Sequence, residues 1–536
     1  MRCFYLTGFL AVILLTYSGP GLARQGRDAG ELVHVRGPET LSFDELVKLA
    51  TADPPPQEVQ AKLARVLDEP FVNNEATFEG TKPNAPFVQE LGPVLRIAEW
   101  NINRTPRESQ VKDALVDKAA FLAKARGNHN SRKLQKITEE LNVLQSSDVV
   151  VLDEIDDGVA RSNYEDAPRE LANALRMNYA FAVEFVELDN IYAVYSSDKK
   201  DRAPSRDDRK FGIDPNRDRG LEGTALLSRY TIRDARIIRL PSEYDWYHEE
   251  IKPPTLAEKV QNWFAATVLR QRAQRQVRRG GRVALIVDLE VPQAPTGVVT
   301  IVCPHLENYT NARGRRAQME YLLPRITEIT NPVIMTGDFN TTGRNAHPSA
   351  GDHGFFDSLT SFRLWLPPVV FFFNPFPGVL FPWNLIKNAN DPTAANVPVF
   401  APNSEYALFE DLHEFRFVDG GTFAWNGQNW QSYQGRGGTL AGSNERARKG
   451  FAPTFFVGRT FHGLAGKYKI DWFLVKTRHP ASLAASEEFQ LAPFYGRTYP
   501  EINTAPGKRI SDHAPSTLDL PLMEPQLASS RTQQKP

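Results

Sequence analysis

An α/β layered sandwich is the fold class that this sequence predicts, on three observations. Short apolar runs with strand character recur from about residue 94 onward. Amphipathic helical stretches stand between several of them, the alternation that stacks helices on sheets. Run after run also stops on an Asp, Asn, Glu or His. No internal repeat is visible.

The elements follow in chain order. "MRCFYLTGFLAVILLTYSGPGLARQ" sets Arg2 before an uncharged apolar run and small residues at Gly21 and Ala23. That is the layout of a secretory signal peptide over residues 1–23, cut after Ala23, and it predicts a secreted or periplasmic protein. An uncleaved anchor is the alternative, against which the shortness of the run weighs. Of the 2 cysteines, Cys3 leaves with the signal and Cys303 remains alone, so no internal disulfide is expected. Residues 24–93 read as a Pro-rich N-terminal extension with helical pieces, "SFDELVKLA" and "PQEVQAKLARVLD", and little strand signal.

"VLRIAEWN" (94–101) then has strand character, and "SRKLQKITEELNVLQ" carries Leu134, Ile137, Leu141 and Leu144 at helical spacing. "DVVVLDEID" (148–156) is an apolar strand ending in acid, followed by the helical "APRELANALRM". Later strands are "GTALLS", "RVALIVDLE", "GVVTIVCPH", "PVIMTGDFN" and "YKIDWFLVK". Three insertions interrupt the rhythm: a charged loop near 187–222, a helical segment near 241–281, and a long stretch near 343–420. The last contains "LWLPPVVFFFNPFPGVLFPWNLI", uncharged from Leu364 to Ile386, whose five prolines exclude a spanning helix. A polar tail, 523–536, closes the chain.

At 536 residues the prior is two domains or one with large insertions; 41% hydrophobic and 24% charged residues are an ordinary globular composition. A formal charge of −1 predicts no general attraction to nucleic acid or acidic membranes, so binding of phosphate must come from a local patch. One candidate is "LRQRAQRQVRRGGR", which puts Arg272, Arg275 and Arg279 on one helical face, either to grip a polyanion such as nucleic acid or as a solvated surface. The aromatic stretch 364–386 likewise reads as a membrane-surface contact or as packing over its own core. A monomer is expected.

The chemistry sits at the strand ends: Asn101 in "EWNIN", Glu154 in "LDEID", His305 in "CPHLEN", Asp338 and Asn340 in "GDFN", Asp471 in "KIDWF", and Asp512 with His513 in "ISDHAP". Residues two apart on a strand share a face, so Asp338 and Asn340 are expected to enter one pocket while Phe339 enters the core. A lone Asp at a strand end is ordinarily a cap or a turn residue. Here the motifs come as a set. Carboxylates with amides, and no Cys cluster, make a hard oxygen-rich site suited to Mg²⁺, Mn²⁺ or Ca²⁺. Two histidines add hydrogen-bond donors and proton carriers for an oxyanion-bearing substrate, and a phosphoester fits that description.

In the order "WNI", "DEI", "PHLEN", "GDFN", "DWF", "SDHAP", residues 94–522 resemble the endonuclease/exonuclease/phosphatase superfamily of divalent-metal phosphodiesterases and phosphatases. Deoxyribonucleases, bacterial sphingomyelinases and inositol polyphosphate 5-phosphatases are among its members. The resemblance implies a four-layer α/β sandwich with two central mixed sheets flanked by helices, plus insertions. It implies Glu154 as principal metal ligand with Asn101 and Asp512 beside it, and Asp338 to orient or deprotonate the attacking water next to Asn340. It implies His513 as phosphoryl-oxygen donor or general acid held by Asp471, and His305 as the second histidine, which argues against an abasic-site endonuclease. Asp153 departs from the pattern, since many relatives carry Gln there; it either adds charge to the metal site or points the other way. The reading is an exported phosphodiesterase, acting on nucleic acid or on phospholipid or sphingomyelin, by in-line attack of water. A phosphomonoesterase, and a non-catalytic binding module on the same fold, are the alternatives.

Overall fold

Successive side chains of a strand take opposite faces, and in strand Gly92–Asn101 this sorts Leu95 and Ile97 into one apolar layer and Ala98 and Trp100 into another. The same sorting runs through every long strand. It generates two sheets with a shared inner layer and a separate outer layer on each side. The computed structural model describes residues 32–89, 91–104, 108–196, 212–252, 276–294, 296–342, 391–395, 403–425, 442–447, 450–461, 465–476 and 495–522.

Among these residues the larger sheet has ten strands. Its central run places Asn178–Glu187, Leu221–Ser228, Val149–Asp157, Gly92–Asn101, Ser516–Pro521 and Tyr495–Thr498 side by side. The smaller sheet has six, in the order Phe423–Ala424, Asp471–Lys476, Val333–Asp338, Val298–Pro304, Val283–Glu290, Ile232–Arg239. Both are mixed: Gly92–Asn101 runs parallel to Val149–Asp157, and Val298–Pro304 parallel to Val333–Asp338, with the neighbouring pairs antiparallel. The inner layer joins Ile97, Val151, Leu226 and Leu518 of the larger sheet to Val287, Ile301, Ile334 and Phe473 of the smaller.

Helices seal the two outer faces. Phe43–Thr51, Gln57–Asp68, Ser131–Gln145 and Ala167–Leu175 cover the larger sheet, and Ala312–Ile326 and Tyr406–Glu414 cover the smaller. Ser131–Gln145 forms where its spacing predicts: Ile137, Leu141 and Leu144 are buried, and Asn130 caps the start by accepting the Lys133 N–H. The result is the four-layer sandwich with two central mixed sheets.

The N-terminal extension contributes strands as well as helices. Phe71–Asn73 pairs antiparallel with Asn178–Glu187, and Val35–Arg36 pairs with Phe71–Asn73. Strands of two or three residues are too short to show a period of two, so the sequence carries no signal for them. Arg279 also departs from expectation. Arg278–Gly280 is a strand beside Asn178–Glu187, not a turn of helix. The Arg279 guanidinium stacks 3.5 Å over the Tyr247 ring and its Nε donates to the Leu49 carbonyl at 2.9 Å, which ties it to the extension. Arg272 and Arg275, the 1–23 segment, the 364–386 stretch and the 523–536 tail lie outside the described residues. No described helix is long and apolar enough to cross a membrane.

Candidate active site

The inner-face rows change character along their length. Leu95 and Ile97 lead to Glu99 and Asn101; Val149 and Val151 to Asp153; Ala180 and Ala182 to Glu184; and Leu226 to Thr224 and Glu222. From the smaller sheet, Ile301 and Cys303 lead to His305, Ile334 to Thr336 and Asp338, and Val475 and Phe473 to Asp471. All these rows turn polar at the same end of the inter-sheet layer, and period two delivers the groups there.

Asp338 is the meeting point and is 1% exposed. Its backbone N–H donates to Asp153 Oδ2 at 3.0 Å, its Oδ2 accepts from Asn101 Nδ2 at 3.1 Å, and its Oδ1 accepts from the Asn340 N–H at 2.8 Å. Burial, reinforced by Asp471 and opposed by His513 and His305, pushes its pKa up to about 7. The strand ends at Asp338, so strand alternation stops there. Phe339 is buried as expected, but Asn340 takes a left-handed conformation (φ 50°) and its side chain donates to the Leu306 carbonyl at 2.9 Å. Asn340 reaches the site through a turn rather than as a facing strand residue. Gly337 is required just before it, because a Cβ there would stand 2.4 Å from the Pro304 carbonyl oxygen.

Two histidines flank the Asp338 carboxylate. His513 Nε2 lies 3.7 Å from Oδ2 and His305 Nε2 lies 3.9 Å from the same atom. His513 is held by Asp471, whose two oxygens are each 3.0 Å from Nδ1. Asp471 pairs directly with Asp338 across the antiparallel ladder. The loop carrying His513 is fastened to the strand bearing Asn101. Ser511 Oγ donates to the Asn101 carbonyl at 2.7 Å, and Trp100 Nε1 donates to the His513 carbonyl at 3.1 Å. His305 is fully buried, with Nδ1 3.0 Å from Glu184 Oε1; Arg282 Nη1 donates to Glu184 Oε2 at 2.7 Å. Burial and Arg282 favour neutral His305, but Glu184 and Asp153 outweigh them and raise its pKa to about 9. For His513 burial again opposes charge, and Asp471 with Asp338 overcomes it, so its pKa lies well above the ordinary histidine value.

Glu154 follows a different rule. By alternation it would face outward, but the pairing register shifts between Leu152 and Ile155, and Glu154 adopts φ 55°. Its carboxylate lies 3.5 Å from Arg104 Nε and no hydrogen bond to it is found among the described residues. Burial and Glu222 push its pKa up, but Arg104, His305 and Arg282 together outweigh them and the net direction is down. Asp512, beside His513, has a side chain 29% exposed and Oδ1 3.9 Å from His513 Nε2. Burial, with Glu154 adding to it, raises its pKa.

The sequence model of the Endonuclease/Exonuclease/phosphatase family matches residues 98–513, the span that supplies every one of these groups. The chain belongs to this family. Among solved structures it is similar to an endonuclease/exonuclease/phosphatase from Beutenbergia cavernae DSM 12333, at 15% identity over 80% of this chain and 71% of that one, TM-score 0.34. It is similar to the human Nocturnin catalytic domain with bound sulfate, at 14% identity over 82% and 98%, TM-score 0.33. It is also similar to a 3′-5′ exonuclease from Neisseria meningitidis, at 14% identity over 79% and 99%, TM-score 0.33. No curated protein matches.

Enzymes of this family use a divalent metal, and the donor set here fits one. Two groups of His and carboxylate atoms lie within 4.8 Å of one another, Asp153/Glu184/His305 and Asp338/Asp471/His513. Neither is a good cation site as it stands. The first holds the Arg282 guanidinium 3.0 Å from His305 Nδ1, and in the second Asp471 is committed to His513. Glu154, by contrast, offers a carboxylate accompanied by one guanidinium at ion-pair distance, and Asp512 presents a partly open carboxylate. Oxygen donors of this kind suit a hard cation. Asp153 turns into the inter-sheet layer, where its Oδ2 accepts the Asp338 N–H. Sequence motifs alone miss Glu184, Thr224, Arg282 and Arg104. Glu184 had a signal: in "FAVEFVE" it falls in phase with Ala180 and Ala182.

Proposed function

We propose that this protein is an exported, divalent-metal-dependent phosphodiesterase that hydrolyses phosphate esters by in-line attack of water. The observation that carries the reading is the Asp338 carboxylate set between two histidines, 3.7 and 3.9 Å from one of its oxygens. Mg²⁺, or Mn²⁺ or Ca²⁺, would be held by Glu154 with Asp512 and Asn101, and would neutralise charge on the phosphate. Asp338, with a pKa near 7, accepts the proton of the attacking water, for which a base poised near neutrality is suited. Asn101 and Asn340 fix that carboxylate through their bonds to Oδ2 and Oδ1. His513 donates to the phosphoryl oxygens and protonates the leaving group, with Asp471 fixing its tautomer. His305 supplies a second, immobile positive donor. The signal-like N-terminus supports export, and two ester substituents on phosphorus suit a site with a donor on each flank of the base.

Purified protein is expected to hydrolyse bis-p-nitrophenyl phosphate with Mg²⁺ or Mn²⁺ and to lose this with Asp338→Ala or His513→Ala. Metal-independent turnover, or full activity in both variants, would overturn the reading. Parallel assays on sphingomyelin, plasmid DNA and phosphorylated sugars separate the substrate classes, and the sugars test for a phosphomonoesterase.

A further inference from the structure

Asp338 and His305 belong to the smaller sheet, but each is supported by a carboxylate of the larger one. Asp153 Oδ2 accepts the Asp338 N–H at 3.0 Å, and Glu184 Oε1 holds His305 Nδ1 at 3.0 Å. One side chain touches both supports. Thr224 Oγ1 donates a forked hydrogen bond, 2.7 Å to Asp153 Oδ1 and 2.9 Å to Glu184 Oε1. Thr224 is fully buried on strand Leu221–Ser228, which lies between the strands carrying Asp153 and Glu184.

The backbone is shaped around this contact. The pairing of Leu221–Ser228 slips on both sides at this level, between Leu152 and Ile155 on one neighbour and between Val183 and Phe185 on the other. The first slip sets Asp153 and Glu154 against Thr224, and the second leaves Glu184 as the extra residue between the partners of Gly223 and Glu222. Gly223 lets the strands close, since a Cβ there would stand 1.9 Å from the Ala182 carbonyl oxygen. Bulges of this kind re-aim side chains. The outcome is a closed circuit from Asp338 through Asp153, Thr224, Glu184 and His305, completed by the 3.9 Å approach of His305 Nε2 to Asp338 Oδ2.

We propose that Thr224 is a positioning residue whose hydroxyl couples the support of Asp338 to the support of His305, so that base and imidazole keep one fixed separation. Without that hydroxyl, Asp153 and Glu184 lose a shared donor in a buried setting, so each carboxylate shifts and takes with it the group it holds. This rests on the phosphoesterase reading for its catalytic consequence, though not for the coupling itself.

Thr224→Val keeps the shape and removes the hydroxyl; Thr224→Ser keeps the hydroxyl. With bis-p-nitrophenyl phosphate and Mn²⁺, Thr224→Val is expected to lower kcat by about tenfold or more with KM within about twofold, while Thr224→Ser retains most of the wild-type kcat. Separately, in the metal-free protein, the Asp338 amide resonance and the His305 ring resonances should both move in Thr224→Val, although Thr224 touches neither group, and stay in place in Thr224→Ser. Should the valine variant not fold, Thr224→Cys, with serine's volume and a weak donor, is expected to show the same changes. Wild-type kcat and unmoved resonances in Thr224→Val, or equal loss in the valine and serine variants, would overturn the proposal. If the wild type hydrolyses no phosphoester, the functional reading fails, and the resonances still decide the coupling.

Discussion

The two histidine–carboxylate pairs are built in opposite senses. His513 lies in a loop leading into the larger sheet and takes its carboxylate, Asp471, from the smaller; His305 follows a strand of the smaller sheet and takes Glu184 from the larger. Both reach the same oxygen of Asp338. Their surroundings differ. His513 is 5% exposed, against 0% for His305, and it rests edge-on against Phe455 at 5.0 Å. His305 is enclosed, and its carboxylate also binds a fully buried arginine. A loop-borne imidazole near solvent can exchange its proton in a catalytic cycle. One locked between two buried charged groups serves better as a fixed positive wall. On the proposed phosphoesterase reading, the contrast gives proton transfer to His513 and electrostatic support to His305.

The sharpest break of that contrast is at the shared centre: Asp338→Asn should lower kcat by about 10²–10⁴-fold, the range for losing a positioned base, in a steady-state assay with saturating metal. Next come the two carboxylates. Glu184→Gln removes the shorter of Arg282's two buried carboxylate contacts, Glu184 at 2.7 Å against Glu307 at 3.8 Å, and should cost about 3–5 kcal/mol in urea unfolding. Asp471→Asn leaves no arginine stranded, so its loss should fall mainly on kcat, by about 10²-fold, with a smaller change in stability. Equal destabilisation by both would erase the distinction. The pH dependence follows from His305. Its folded pKa of about 9 lies above the ordinary 6.5, so its contribution to stability is complete below about 6.5 and is lost as pH rises through about 9. Thermal unfolding followed across that window should show the decline, and Glu184→Gln should flatten it. The smallest effect concerns Arg279: Arg279→Gln should cost about 1–2 kcal/mol through lost bonds to the extension and leave the salt dependence of activity unchanged.

Most of this architecture was legible in the residues themselves. Asn101, His305, Asp338 and Asp471 stand at strand ends in phase with apolar inner rows, and period two alone brings them to one place. Glu184 obeys the same rule, but no motif marks it within "FAVEFVE". Asp153 is in phase with Val149 and Val151, but its link to Thr224 and Glu184 shows only once the three strands are paired. Glu154 and Asn340 owe their aim to left-handed backbone, φ 55° and 50°, which alternation does not foresee. The strand at Arg278–Gly280 replaced an expected helix because pairing with Asn178–Glu187 overrides local helical periodicity.

The central claim is that both histidines act on one centre beside Asp338, and a double-mutant cycle tests it most directly. His305→Gln, His513→Gln and the double variant would be compared by kcat on bis-p-nitrophenyl phosphate with Mn²⁺. Groups serving one transition state should be strongly non-additive, with the double variant close to the weaker single variant. Independent, multiplying losses, or a His305 variant as active as wild type, would contradict the account.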